Sequence, residues 1–242
     1  MRVMVLRDYQ SLSEQAAALV GDRIRRNPAT VLGLATGSTP LGLYRELVKM
    51  VRRGVIDFGE VVTFNLDEYY PIAKENPQSY YYYMQRHFWE PAAIPPERAH
   101  IPDGNPDDVR ASCRDYELKI YRAGGIDLQI LGIGVNGHIG FNEPGEELMA
   151  KTHLVSLSGE TIAANSRFFE KAADVPRMAI TMGLGTIMKA REILLLAAGP
   201  DKGTAIRETV KGGLSTRVPA SLLQAHPRVT VMVDREAARY LR

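Results

Sequence analysis

The chain has 242 residues, 45% hydrophobic and 24% charged, ordinary values for a globular protein with a sizeable core. Its 30 Lys and Arg against 28 Asp and Glu leave a net charge of +2, too little to mark a nucleic-acid or membrane surface. Cys113 is the only cysteine, which excludes an intramolecular disulfide and fits a reducing, cytoplasmic compartment. The opening run MRVMVLRDYQ is broken by Arg7 and Asp8, unlike a signal peptide, and no apolar stretch approaches the ~18 residues that span a membrane.

Short apolar runs alternate with longer amphipathic segments. Val3 to Leu6 reads as a first strand, followed by a helix capped by Ser11 or Ser13 that runs to about Arg26. Val31 to Ala35 reads as a second strand, then TGSTP, then a helix from about Pro40 to Arg53. Val61 to Leu66 is a third strand and Gln78 to Glu90 a helix, after which Pro91, Pro95 and Pro96 break the chain. Asp107 to Ala123 is helical, ended by Gly124-Gly125, and Asp127 to Leu131 is the next strand. Leu154 to Leu157, Met178 to Thr181, Ile193 to Ala197 and Val229 to Val233 follow as strands. Helical patterns lie near Ile162 to Glu170, Leu184 to Ala190, Lys202 to Val210 and Glu236 to Leu241. This alternation predicts βαβ units in one α/β domain, with a mostly parallel sheet covered on both faces. Residues 151 to 176 are the least regular stretch and read either as a mobile lid or as an ordinary excursion.

Residues 132 to 144, GIGVNGHIGFNEP, carry the densest chemistry. Asn136, His138, Asn142 and Glu143 fall within eight positions, spaced by glycines and directly following a strand. That is where an open α/β sheet places its ligand groups. Histidine exchanges protons near neutrality, so an acid–base role is one reading; a His bonded inside a tight loop is the other. GIGVNG matches a dinucleotide fingerprint, but no helix opens at its end and no acidic residue ends the following strand, so that reading is rejected. Neither zinc-type spacing nor a cysteine pair points to a metal. TGSTP (Thr36 to Pro40) joins a strand to a helix start, where free N–H groups attract anions. Pro40 suits the first helical position. The loop lacks the Walker lysine and reads equally as an ordinary capped helix start. NLDEYY (Asn65 to Tyr70) ends a strand with two carboxylates. Asp67 or Glu68 is a candidate general base, against a turn bearing a solvated acidic pair. Lys202 in GPDK and Arg167 in NSRFF are candidate phosphate cations or plain surface charges. The run Tyr80 to Tyr83 reads as mixed core and surface packing rather than sugar stacking.

TGSTPLGLY, VVTFNLDEYY, NPQSYYYYM, GIGVNGHIGFNEPG, NSRFF and GPDK occur in this order across essentially the whole chain. Together they resemble the glucosamine-6-phosphate deaminases. VTFNLDEYY and GHIGFNEP are specific to that family, whereas the TGSTP loop also appears in 6-phosphogluconolactonases. The resemblance implies a three-layer αβα fold with a mostly parallel, Rossmann-like open sheet. It implies amino-sugar catabolism: glucosamine 6-phosphate and water become fructose 6-phosphate and ammonia, with no metal or organic cofactor. By position, Asp67 resembles the base that moves a proton from C2 to C1. His138 resembles the group that opens the sugar ring, and Glu143 its support. Gly37, Ser38, Thr39, Arg167 and Lys202 resemble the phosphate site. Asn136 stands where some members carry a relay aspartate. The chain also stops shortly after Leu241, short of the extension of the longer, allosterically activated hexamers. The expectation is therefore an enzyme without allosteric control, with a homo-oligomer left open. Two other readings share the loop: a 6-phosphogluconolactonase-like hydrolase and a non-catalytic sugar-phosphate sensor.

Overall fold

Which face each strand residue covers follows from the period-two alternation of extended chain, and the computed structural model shows two apolar layers built this way. It describes residues 1–166, 169 and 175–241. The elements run β1 (Arg2–Leu6), α1 (Tyr9–Arg26), β2 (Val31–Leu34), α2 (Ser38–Arg52), β3 (Val62–Asn65), β4 (Asp67–Tyr70), α3 (Tyr80–Met84), β5 (Ala99–His100), α4 (Val109–Arg122) and β6 (Leu128–Leu131). They continue with β7 (His153–Ser156), α5 (Gly159–Asn165), β8 (Met178–Thr181), α6 (Leu184–Met188), β9 (Glu192–Ala197), α7 (Gly203–Lys211) and β10 (Val229–Asp234). Among the described residues the main sheet has seven strands in the order β1-β10-β9-β6-β2-β3-β5, every pair parallel. In each strand, alternate residues go to opposite layers. Leu128, Ile130, Leu194, Leu196 and Met232 meet α1 and α2 through Leu12, Val20, Leu43 and Leu47. Leu131, Ile193, Leu195, Val231 and Val233 meet α4, α6 and α7 through Ile120, Ile187 and Ile206.

The strand order reverses between β2 and β6. From β2 the chain proceeds through β3 to β5, and from β6 it proceeds the other way through β9 to β10. A crevice opens at such a point, beyond the carboxyl ends of the two strands. The TGSTP loop leaves β2 there, and the GIGVNGHIG loop leaves β6 there. The α2 side is stiffened by Phe88, which stacks on Tyr44 with centroids 4.4 Å apart and meets Phe58 edge-on at 5.3 Å. Such pairs contribute about 0.5–1.5 kcal/mol each beyond burial.

Several expectations need correction. Neither Ser11 nor Ser13 caps the first helix. Asp8 does, accepting the Ser11 N–H at 2.8 Å, because a carboxylate is already in place one turn earlier. Pro40 is the third helical residue rather than the first, since Gly37, at φ 99°, turns the chain so that α2 starts at Ser38. A missing N–H costs nothing at that position either, because it still precedes the first intrahelical bond. The Gln78 to Glu90 helix starts at Tyr80 behind a Ser79 cap and widens into a π-type turn over Gln85–Trp89. NLDEYY is no turn. Asp67–Tyr70 pairs antiparallel with β8, Asp67 lying opposite Thr181. With β7 these strands form a separate three-stranded sheet, β4-β8-β7. Four-residue strands carry no mark of which sheet they join. Residues 235–240 form turns, not a helix, held by bonds such as Ala238 N–H to Asp234 O at 3.0 Å and Leu241 N–H to Ala238 O at 2.9 Å. The irregular stretch 151 to 176 holds β7 and α5, whose Ser158 cap accepts the Thr161 N–H.

Candidate active site

Gly37, Ser38, Thr39, Asp67, Asn136, His138 and Lys202 line one cavity of about 510 Å³ at the reversal point. Arg167 lies outside the described residues.

One end of the cavity is the start of α2. Its carbonyls are tied off by three phenols. Tyr44 Oη donates to Ala35 O at 2.6 Å, Tyr83 Oη to Gly37 O at 2.8 Å, and Tyr9 Oη to Ser38 O at 2.8 Å, with Thr39 O at 3.0 Å. The helix-start N–H groups, which have no intrahelical acceptor, are then what the chain offers the cavity. Lys202 enters from the short 3₁₀ turn Pro200–Lys202 ahead of α7. That turn is set by Asp234, which accepts the Gly199 N–H at 3.0 and 3.1 Å and the Ala237 N–H at 2.8 Å.

At the other end, strand alternation separates the two carboxylates of NLDEYY. Asp67 lines the cavity and is 6% exposed. Glu68 points away and accepts three backbone N–H groups, from Tyr69 at 2.9 Å and from Tyr80 and Tyr81 at 2.8 Å each. It thereby anchors the start of α3. Burial, and then the Glu68 charge, push the Asp67 carboxyl up to about 8. Burial also raises Glu68, to about 7, against the pull of its three N–H bonds.

His138 is seated by a glycine. A Cβ on Gly134 would fall 2.3–2.6 Å from the imidazole, so only glycine lets the ring lie against that backbone. Nδ1 faces Glu143 Oε2 at 3.3 Å, which leaves Nε2 as the nitrogen free for exchange. Glu143 stands behind the ring rather than on the cavity wall. It also accepts from Asn136 Nδ2 at 2.9 Å and from the Thr161 hydroxyl. Burial alone would raise the Glu143 carboxyl, but the His138, Thr161 and Asn136 contacts outweigh it and hold the group at about 2. Asn136 completes the loop by accepting the His138 N–H through Oδ1 at 3.2 Å. Asn142, by contrast, is buried and structural, donating to Ile139 O and Met182 O at 2.9 Å each.

Tyr69, Tyr80 and Phe141 form an aromatic wall, Tyr80 lying parallel to Phe141 at 6.1 Å. The tyrosine run is mixed: Tyr80 and Tyr83 border the cavity, Tyr81 packs on Trp89 and Tyr82 is exposed. Sequence reasoning did not find Tyr9, Tyr83, His87 or Thr161, all of which border the cavity or bond its walls. A glycine four residues before a candidate histidine was the available signal for the Gly134 seat. Tyr9 had none. Among the described residues, no group of three or more His, Cys, Asp or Glu is placed to hold a metal.

A family model for glucosamine-6-phosphate isomerases/6-phosphogluconolactonase matches residues 8–232. The chain belongs to this family. Within the glucosamine-6-phosphate isomerase/6-phosphogluconolactonase family, it is 60% identical over 241 residues to a Halothermothrix orenii protein named glucosamine-6-phosphate deaminase, with 100% of both chains covered. It superposes on the solved structure of a monomeric glucosamine-6-phosphate deaminase with a TM-score of 0.97 at 44% identity, over 99% of this chain and 100% of that one. A 6-phosphogluconolactonase from Leishmania guyanensis superposes with a TM-score of 0.74 at 20% identity, over 100% and 98% of the two chains. That likeness carries the fold alone. The mostly parallel sheet flanked by helices on both faces is thus the architecture of the family.

Proposed function

We propose that the chain is a glucosamine-6-phosphate deaminase, converting glucosamine 6-phosphate and water to fructose 6-phosphate and ammonia. The observation that carries this is the placement of Asp67 and His138 on one cavity whose far end is an anion-binding helix start. The full-length relative named for this activity supports it. The phosphate sits at the Ser38 and Thr39 N–H groups behind Gly37, with Lys202 adding charge and Arg167 assigned to the same site by position. Holding that end orients C1 and C2, so binding free energy goes into alignment. His138, backed by Glu143 and oriented by Asn136, moves a proton between the ring oxygen and the anomeric hydroxyl, opening the ring. Asp67 then takes the C2 proton and returns it to C1, and water hydrolyses the resulting imine.

A lactonase needs no base for a carbon-bound proton, and the buried Asp67 facing the cavity favours the deaminase over it. A sensor without turnover is disfavoured by Glu143, which supplies behind His138 the negative charge that Asn136 lacks. One solved relative, 44% identical, is a monomeric glucosamine-6-phosphate deaminase. We therefore expect a working monomer, checked by light scattering against the homo-oligomer left open by the sequence. No helix among the described residues is long and apolar enough to cross a membrane. A cytoplasmic setting, supported by the buried lone thiol of Cys113, completes the reading. Glu160, Thr161 and Phe169 border the cavity, which supports segment 151 to 176 as its cover. The test is ammonia release from glucosamine 6-phosphate by the purified protein without added metal. Lactone hydrolysis in its place, or tight binding with no turnover, would end this reading.

A further inference from the structure

We propose that Tyr9, on the first helix, is a positioning residue for the anion-binding loop and sets the affinity for the phosphate end of the substrate. This rests on the assignment of residues 37–39 to the phosphate. In a helix the N–H of residue i+4 donates to the carbonyl of residue i, which pairs Gly42 with Ser38 at the start of α2. The Tyr9 hydroxyl bonds both members of that pair. It accepts the Gly42 N–H at 2.8 Å and donates to Ser38 O at 2.8 Å, with Thr39 O at 3.0 Å sharing the proton. Sequence makes room for the phenol. A Cβ at Gly42 would lie 2.8 Å from the Tyr9 oxygen and 2.1 Å from Ser13 Oγ. Ser13 is itself fixed, donating to Tyr9 O at 2.8 Å.

In a trans peptide the carbonyl and the following N–H point in opposite directions. Tying Ser38 O back to Tyr9 therefore aims the Thr39 N–H forward. Tyr83, on the opposite side, ties Gly37 O back and aims the Ser38 N–H in the same way. Pro40 has no N–H to aim. The Ser38 and Thr39 N–H groups are thus each set by a phenol acting on the carbonyl just before it. Tyr83 also borders the cavity, whereas Tyr9 is not among its lining residues, so its influence is transmitted wholly through backbone.

The test is Tyr9→Phe in the full chain, read by two independent measurements. Titration calorimetry with inorganic phosphate should show affinity falling roughly tenfold, as expected when charge-assisted donors are no longer held in line. Steady-state kinetics on glucosamine 6-phosphate should show KM raised by a similar factor, with kcat within twofold of the parent. Gly42→Ala, which keeps the phenol but displaces it, should reproduce the loss and serves if Tyr9→Phe does not fold. Unchanged phosphate affinity in a folded variant, or a fall in kcat at constant KM as general loosening would give, overturns the proposal. The phosphate titration speaks even if the parent protein releases no ammonia, so failure of the functional reading is told apart from failure of this one.

Discussion

At Asp67 stability and reactivity oppose each other. Its carboxylate is buried beside a second acid, which disfavours the charge that proton abstraction requires. Replacing it by Asn should cut turnover by about 100- to 10,000-fold, the span typical of a lost general base. Exchange of the C2 proton with solvent should stop while phosphate affinity survives. The same substitution should raise the melting temperature, and by more at pH 9 than at pH 6, because the parent must ionise one more buried carboxyl than the variant. Calorimetric scans at the two pH values check this. Gly134 allows an equally local forecast. A methyl group there would strike the imidazole, so Gly134→Ala should lower kcat at least tenfold with little change in phosphate affinity, as single-turnover assays would show. These residue types and their spacing were legible in the sequence. The choice between Asp67 and Glu68 was not, because it depends on which face of β4 meets the cavity.

Among the elements, α2 is the one on which the site most depends. Its first turn offers the anion donors, and its far face is held by the stack of Tyr44 on Phe88. Phe88→Ala should cost about 3–5 kcal/mol of stability, as large-to-small core changes do. It should also weaken phosphate binding, since Tyr44 anchors Ala35 at the mouth of the loop; denaturant melts and phosphate titrations on one sample measure both. Long periodic segments such as α1, α2 and α4 were legible because an amphipathic face repeats over several turns. The small sheet was not, because β4, β7 and β8 are four residues each and a run that short states no partner. Asp67 reads as a turn former by composition, yet pairing with Thr181 overrides that local preference.

For the molecule as a whole, the titrating groups of the site set opposed pH trends. Glu143 has its folded value depressed to about 2. It stabilises the fold above its unfolded value of about 4.3 and loses that contribution as pH falls toward 2. Asp67 and Glu68 are raised to about 8 and about 7. The folded state then holds protons that the unfolded chain has released, so stability falls as pH rises from about 4 to about 8. The expected stability maximum is acidic, near pH 4. The activity, kcat/KM, should instead climb with pH until Asp67 ionises near 8. Coincident optima in melting and rate profiles would count against this assignment of the raised group. The parallel architecture was legible from the alternation of strands and helices. The order of strands was not, because the reversal between β2 and β6 is a property of tertiary packing that no local pattern encodes.

The pairing of β1 with β10 alone, at one edge of the sheet, bears on how the protein is born. On the ribosome the first strand emerges more than two hundred residues before β10, its one neighbour among the described residues, so β1 must wait for its place in the sheet until synthesis is nearly over. The same late strand carries Asp234, which fixes the turn that presents Lys202. Nascent chains released before it should therefore bind sugar phosphate poorly even though every residue of the catalytic loops has already been made.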